Sequence, residues 1–294
     1  MASSGASLEE YWRRTCLAMN FIQDHLDEPL ALEAIAEAAF LSKFYFHRIF
    51  HAMVGETVSA FTRRLRLEKS AGLLRYCPDK PITAIAYEQG FSSTQNFSKM
   101  FRKHFGVSPS QYRQAGRGEG AAPFLARYGP RCAGTYQQAA AGMDVVLERL
   151  PGLRVAYLRV VGSYKRQLRG AAHNRLVRWA RGRGIACDGA RLGIFLDNPE
   201  ITASGNCRYD ACMAVPKWTG GSGEVGLQRI PAGLYAVYRD RPKTITYGRD
   251  WEDLLSRWLP QSGFQPDDRP CYELWPKAAQ TVPRVDICLP VKPL

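Results

Sequence analysis

The hydrophobic positions of this chain change period halfway along it. Up to about residue 114 they recur every three to four residues, the spacing of one helix face; beyond about residue 143 they alternate, as strands require. Residues 94–105 carry the helical spacing most cleanly. On a spiral turning about 100° per residue, Phe97, Met100, Phe101 and Phe105 fall on one side, and Gln95, Asn96, Lys99, Arg102 and Lys103 on the other. Gly90 supplies a left-handed turn ahead of this helix, and Ser92 or Ser93 its cap. Residues 43–54, capped by Ser42, repeat the design, with Phe46, Ile49, Phe50 and Met53 inward and Phe44, His47, Arg48 and His51 outward. Further helices are predicted over 7–25 (stripe Leu8, Trp12, Cys16, Met19, Ile22), over 32–39, and over 57–76, where Phe61, Leu65, Ala71 and Leu74 are candidates for burial.

These elements form a repeat. AIAEAAFLS at 34–42 echoes AIAYEQGFS at 84–92, and Phe46, Phe50, Gly55, Thr57, Ser59 and Phe61 recur 51 residues later as Phe97, Phe101, Gly106, Ser108, Ser110 and Tyr112. Two copies of a helix-turn-helix explain this, with Gly106 and Ser108 as a stop-and-cap pair. The helix between the copies is about 30 Å long, close to the ~34 Å of one DNA turn, so it can hold both outward faces to adjacent major-groove segments. The run GFSSTQNFSKMFRKHFGVSPSQYR at 90–113 resembles the C-terminal signature of the AraC/XylS regulators, and the resemblance extends over residues 8–114. It implies that Phe44, His47 and Arg48 in the first copy, and Thr94, Gln95, Asn96 and Lys99 in the second, contact DNA bases. Arg pairs with guanine and Gln or Asn with adenine, while Phe44 either meets thymine methyl groups or packs on a neighbouring helix. Lys43, Arg102, Lys103 and Arg113 suit phosphate contacts. The first copy has Phe40 where the second has Gly90, a departure that bears on the angle of the first turn.

Residues 115–142, rich in Gly, Ala and Pro, read as a linker, with room for a short helix near 124–128. They divide a DNA-binding domain, 1–114, from a second domain, 143–294. That domain is also a repeat: VVLERLPGLRVAYLR at 145–159 matches VGLQRIPAGLYAVYR at 225–239, and RYDACMAVP at 208–216 matches RVDICLPVK at 284–292. Helical stretches at 176–185 and 254–264 are followed by strands at 191–197 and 269–275. Each half therefore reads strand, strand, helix, strand, strand, an α+β sheet with helices on one face. This half resembles the GyrI-like effector-binding domain, placed behind the DNA-binding domain as in Rob-type regulators.

Alternation separates the strand faces. Leu192, Ile194 and Leu196 form an aliphatic face expected to pack beneath the helix, so Gly193, Phe195 and Asp197, with Cys271, Glu273 and Trp275 in the second half, are expected on the side away from it. Tyr157 and Tyr235 are assigned to that open face as well. An acid among aromatics is the composition of an organic-cation pocket, here Tyr157, Phe195, Tyr235, Glu273 and Trp275. Glu273 also matches the pocket glutamate of GyrI-like relatives.

Charge and cysteines refine this only a little. The formal net charge is +13, yet residues 1–118 carry 15 basic and 11 acidic side chains and residues 143–294 carry 23 and 15, so global charge does not locate a DNA site. Lys165 to Arg183 holds seven basic residues and no acid: a solvated helix face, extra DNA contact, or a docking surface for an acidic partner. Eight scattered cysteines with no CxxC pair read as reduced core thiols, and His47 and His51 lack the further ligands a metal needs. MASSGASLEE has no basic start or apolar run, and no apolar stretch nears the ~20 residues that cross a bilayer, so a cytoplasmic protein without a secretory signal is expected. No cofactor or metal is implied. The expected function is a regulator that binds double-stranded promoter DNA and a small cationic or aromatic effector, with RNA polymerase as a further partner. Two alternatives stay open: a hydrolase pairing Glu273 with Tyr157 or Tyr235, and a module that binds gyrase or polymerase.

Overall fold

Caps and apolar stripes set the helices of the N-terminal part. The computed structural model describes residues 4–77, 79–116, 143–187, 189–239, 250–251, 253–275 and 285–294, and the chain divides into two units, Met1–Ala133 and Gly134–Leu294. The first holds α1 (Ser4–Asp24), α2 (Leu32–Ala38), α3 (Lys43–Val54), α4 (Val58–Tyr76), α5 (Ile82–Glu88), α6 (Thr94–Phe105) and α7 (Pro109–Gly116). The hydroxyl of Ser93 accepts from Asn96 N at 3.2 Å to start α6, and Thr57 does the same for α4 from Ala60 N. Ser108 and Gln111 cap α7 reciprocally, at 3.0 and 3.2 Å. Ser42 departs from expectation: it stands at the cap of α3, but its side chain makes no cap bond.

The two copies repeat one core pattern. Phe46, Phe50 and Phe61 stack edge-to-face at 5.7 and 5.4 Å, and their counterparts Phe97, Phe101 and Tyr112 at 5.4 and 5.4 Å. Phe46, Phe50, Phe97 and Phe101 have no solvent exposure. Such pairs add about 0.5–1.5 kcal/mol each beyond the area they bury. Helix α4, 19 residues and so about 28 Å, buries Phe61, Leu65, Ala71 and Leu74 between the copies. Leu8 is the exception on the α1 stripe, at 61% exposure.

The turn ahead of each second helix is left-handed in both copies, φ 70° at Gly90 and 53° at Phe40. Phe40 therefore keeps the backbone form of Gly90 and bears the strain that a Cβ brings there. An arginine anchors each turn: Arg14 donates to the Phe40 carbonyl at 2.8 Å and Arg66 to the Gly90 carbonyl at 3.1 Å. Arg66 also reaches the Leu26 and Glu28 carbonyls, both at 2.7 Å, and a Cβ at position 90 would stand 2.7 Å from its guanidinium carbon.

The second unit is a nine-stranded antiparallel sheet of two interlocked halves. The first comprises β1 (Val145–Leu150), β2 (Leu153–Val161), α8 (Arg166–Arg181), β3 (Arg191–Phe195) and β4 (Arg208–Ala214). The second comprises β5 (Gly226–Ile230), β6 (Gly233–Arg239), a π-helical turn Leu254–Trp258 running into a 3-10 turn Leu259–Gln261, then β7 (Phe264–Pro266), β8 (Tyr272–Trp275) and β9 (Asp286–Pro293). Phe264, expected at a helix end, thus opens a short strand against β9. The strand order is β1-β6-β9-β8-β3-β4-β2-β5, so each half lends its first strand to the other, and β3 and β8 pair at the centre.

Both helical segments lie on one face, as expected. Ala172, Leu176 and Ala180 of α8 pack on Ala156, Leu158, Tyr209, Ala211 and Met213, and Leu254 and Leu259 pack with Ala236, Ile287 and Leu289. Among the described residues no helix is long and apolar enough to cross a membrane. The expected linker and its short helix lie outside the described residues, apart from Ala115 and Gly116, which close α7.

Candidate functional site

In the first unit, burial of Phe46, Phe50, Phe97 and Phe101 turns the opposite sides of α3 and α6 outward. Lys43, Phe44, His47 and Arg48 on α3, and Gln95, Asn96, Lys99, Arg102 and Lys103 on α6, are exposed, and Thr94 is half-buried. Phe44 is 73% exposed, so among the described residues no helix covers it. Lys43 lies 3.9 Å from Glu33 and 5.5 Å over the Phe44 ring, loose contacts that water competes with. Arg113 is half-buried. Its guanidinium donates to the Lys80 carbonyl at 2.6 Å and ties α7 to the loop before α5.

In the second unit, cross-strand register decides which residues share a face. Glu273 pairs with Ile287 and Gly193, Phe195 with Tyr209, and Trp275 with Arg191, all on the side the helices cover. The sequence-based assignment had the faces of β3 and β8 reversed, whereas Tyr157 and Tyr235 do lie away from the helices. Leu192 and Ile194 pair with Cys212 and Asp210 on the other side, together with Tyr157 and Arg159. That side is buried too, Leu192 and Ile194 at 1% each, so aliphatic character could not identify the helix side.

Of the five residues expected to form one pocket, Phe195, Glu273 and Trp275 share a face, while Tyr157 and Tyr235 lie on the opposite one. Tyr157 packs 5.4 Å from the Arg159 guanidinium. Tyr235 stacks on Tyr272 at 5.5 Å, under Arg269, and donates its hydroxyl to the Pro231 carbonyl at 3.1 Å.

Around Glu273 the helix side gathers a cluster. Its carboxylate has no solvent exposure, accepts from Trp251 Nε1 at 3.2 Å, and meets Arg169 Nη1 of α8 at 3.3 Å. The Arg169 guanidinium lies 5.4 Å over Phe195 and 5.8 Å over Tyr209. Phe195 stands 5.1 Å from Tyr209 and 6.2 Å from Trp251, ring to ring. Gly193, the register partner of Glu273, leaves the space through which the Tyr209 ring passes, since any Cβ there would collide with the phenol. His173 accepts or donates at 2.9 Å to the Tyr209 hydroxyl and sits 5.4 Å from Trp275.

Burial dominates the electrostatics. Loss of hydration pushes the Glu273 carboxyl up to about 7, against the opposing pull of Arg169 and the Trp251 hydrogen bond. Burial likewise pushes His173 down to about 4, helped by Arg191 and Arg169. A buried carboxylate ringed by aromatic faces can neutralise one organic cation. A cleft of about 420 Å³ lies elsewhere along α8, lined by Asn174, Val177, Arg178, Arg181 and Arg191, with neither a carboxylate nor an aromatic in its wall.

Arg169, Trp251, Tyr209 and His173 were missed as site residues. Arg169 was legible: 169, 172, 176 and 180 fall on one helical stripe, so it points where Ala172, Leu176 and Ala180 are buried. Tyr209 could have been found as the register partner of Phe195. The basic stretch is accordingly not one solvated face. Arg169 turns inward, Arg175 pairs with Glu224, and Arg183 lies 4.7 Å over Trp179.

Comparison with known proteins gives matches for both units. Residues 35–115 match a helix-turn-helix domain family and residues 143–292, half of the chain, the GyrI-like small molecule binding domain. The regulatory protein SoxS of Salmonella typhimurium is 36% identical over 95 residues, which are 32% of this chain and 88% of that protein. The right origin-binding protein of Escherichia coli K12 is 38% identical over 95 residues, 32% of this chain and also only 32% of that protein. Among solved structures, the C-terminal domain of AraT, a response regulator from Geobacillus stearothermophilus, is 34% identical, covers 35% of this chain and 84% of that one, and has a TM-score of 0.33.

Proposed function

We propose a ligand-responsive transcription regulator, on the premise that the chain belongs to the GyrI-like small molecule binding family and carries an AraC-type helix-turn-helix domain ahead of it. The observation that carries the DNA-binding part is the matched outward display on α3 and α6, each backed by the same three-ring core. Phe44, His47, Arg48, Thr94, Gln95, Asn96 and Lys99 read base edges, and Lys43, Arg102 and Lys103 hold phosphates. Helix α4 spaces the two readers by about one DNA turn. The effector is a small organic cation with aromatic character, held by Glu273 among Phe195, Trp275, Tyr209 and Trp251. It changes DNA affinity only by its preference for one of two arrangements of the chain. Contact with RNA polymerase, by which bound DNA becomes a change in transcription, is part of the same proposal, as is a cytoplasmic location.

The hydrolase alternative loses its acid/base pair, because Tyr157 and Tyr235 lie on the sheet face opposite Glu273. The reading therefore assigns Glu273 to binding. Its test begins with an operator selected from randomised duplex DNA by the full chain and measured by fluorescence anisotropy. Asn96→Ala is expected to relax preference at one base pair, costing about 1–3 kcal/mol on the preferred site. Arg102→Ala is expected to weaken all sites alike and to reduce the salt slope by about one. Selection that converges on no sequence, or binding indifferent to salt, would overturn the DNA-reading proposal.

A further inference from the structure

We propose that Arg169 is a built-in occupant of the Glu273 site, an internal cation that an external one must displace to bind. The proposal rests on the reading of Glu273 as the anchor for a cationic effector. Its ground is the identity between what Arg169 touches and what such an effector would need. The guanidinium is 3.3 Å from the carboxylate, 5.4 Å over Phe195 and 5.8 Å over Tyr209. A carboxylate and the π faces of two rings are the partners a planar or quaternary cation seeks. Among the described residues the other charged or titratable groups near it include Asp250, Cys271, His173 with its Tyr209 hydrogen bond, and Arg191, which acts on His173. Glu273 is fully buried, and Arg169 already holds the carboxylate and ring faces that a second cation would take. Ligand and Arg169 therefore compete.

The start of α8 is built so that Arg169 can leave. Lys165 stands at its N-cap without a side-chain cap bond, and the first turn has no acidic residue. Lys165, Arg166 and Arg169 crowd the positive end of the helix, where cations are disfavoured. Gly170 follows, a residue that weakens a helix interior and that nothing in the fold demands, since a Cβ there would meet open space. The core contacts of the helix begin at Ala172 and continue through Leu176 and Ala180. Unwinding the first turn withdraws Arg169 and leaves those anchors in place.

The test measures binding of tetraphenylphosphonium to the full chain by calorimetry at pH 8.5. If Arg169 occupies the site nine-tenths of the time or more, Arg169→Met and Arg169→Gln each bind at least tenfold tighter than the native protein. Adding Glu273→Gln to either removes that gain. Variants that bind no tighter, while the native protein binds, overturn the inference and leave the cation site standing. Binding by none of the proteins overturns both. A measurement on the native chain covers the case in which the variants fail to fold. Saturating cation should speed amide hydrogen exchange at residues 166–170 and leave 172–180 unchanged; unchanged or slower exchange at 166–170 refutes displacement.

Discussion

A carboxyl buried without exposure and half-neutralised by one arginine makes stability depend on pH in a direction opposite to most carboxylates. Glu273 titrates near 7 in the fold and near 4.5 when the chain unfolds. Between those values the folded state holds a proton that the unfolded state has lost, so stability falls as pH rises. The favourable contribution is complete below pH 4.5 and is lost through pH 7. At about 1.4 kcal/mol per pH unit of difference, the loss between pH 5 and pH 8 comes to about 2.5 kcal/mol. Glu273→Gln keeps the size and a partner for Trp251 but carries no proton linkage. The difference in unfolding free energy, native minus variant, should therefore drop by about 2.5 kcal/mol from pH 5 to pH 8. Urea unfolding followed by tryptophan fluorescence suits the experiment, because five of the six tryptophans lie in residues 143–294. A difference that stays level across this range would mean that Arg169 keeps Glu273 ionised throughout. A rising difference would refute the burial argument outright.

Other consequences follow from single side chains. Gly90→Ala forces a left-handed alanine against Arg66 and should lower the stability of the first unit by at least about 1–2 kcal/mol in thermal unfolding, whereas Phe40→Gly should raise it by about 1 kcal/mol. Asp210→Ala leaves Arg159 buried without the carboxylate that holds it at 2.7 Å through two nitrogens, and should cost about 3–5 kcal/mol in urea unfolding. Tyr157→Phe should leave tetraphenylphosphonium affinity within about twofold, while Trp251→Phe weakens it about tenfold through loss of the Glu273 hydrogen bond; the reverse order would restore the pocket to the other face.

Much of this molecule was legible because its sequence is written twice. The bounds of α3 and α6 follow from one clean stripe each, and the 51-residue echo from Phe46 to Phe97 predicts the matched ring stacks. The second unit also announced the sequence of strands and helix along each half, apart from the short β7. It did not announce that β1 and β5 cross to the opposite half, since pairing of an edge strand leaves no mark on its own pattern. Nor could alternation alone say which face the helices cover. It groups Gly193 with Phe195, but both sides of the central strands are buried, and Leu192 and Ile194 look like helix-packing residues although they pack away from α8. The clue was an arginine out of place. Arg169 sits on the apolar stripe of α8, and a buried positive charge requires a buried negative one, which the structure supplies in Glu273.

Coupling between the DNA reader and the cation site shows in operator affinity. The full chain is titrated onto its selected operator with and without saturating tetraphenylphosphonium, in native form and as Glu273→Gln. The cation is expected to shift the Kd of the native protein for DNA by about fivefold or more and to leave that of the variant unchanged. Native operator affinity that is the same with the site filled as with it empty would contradict that coupling.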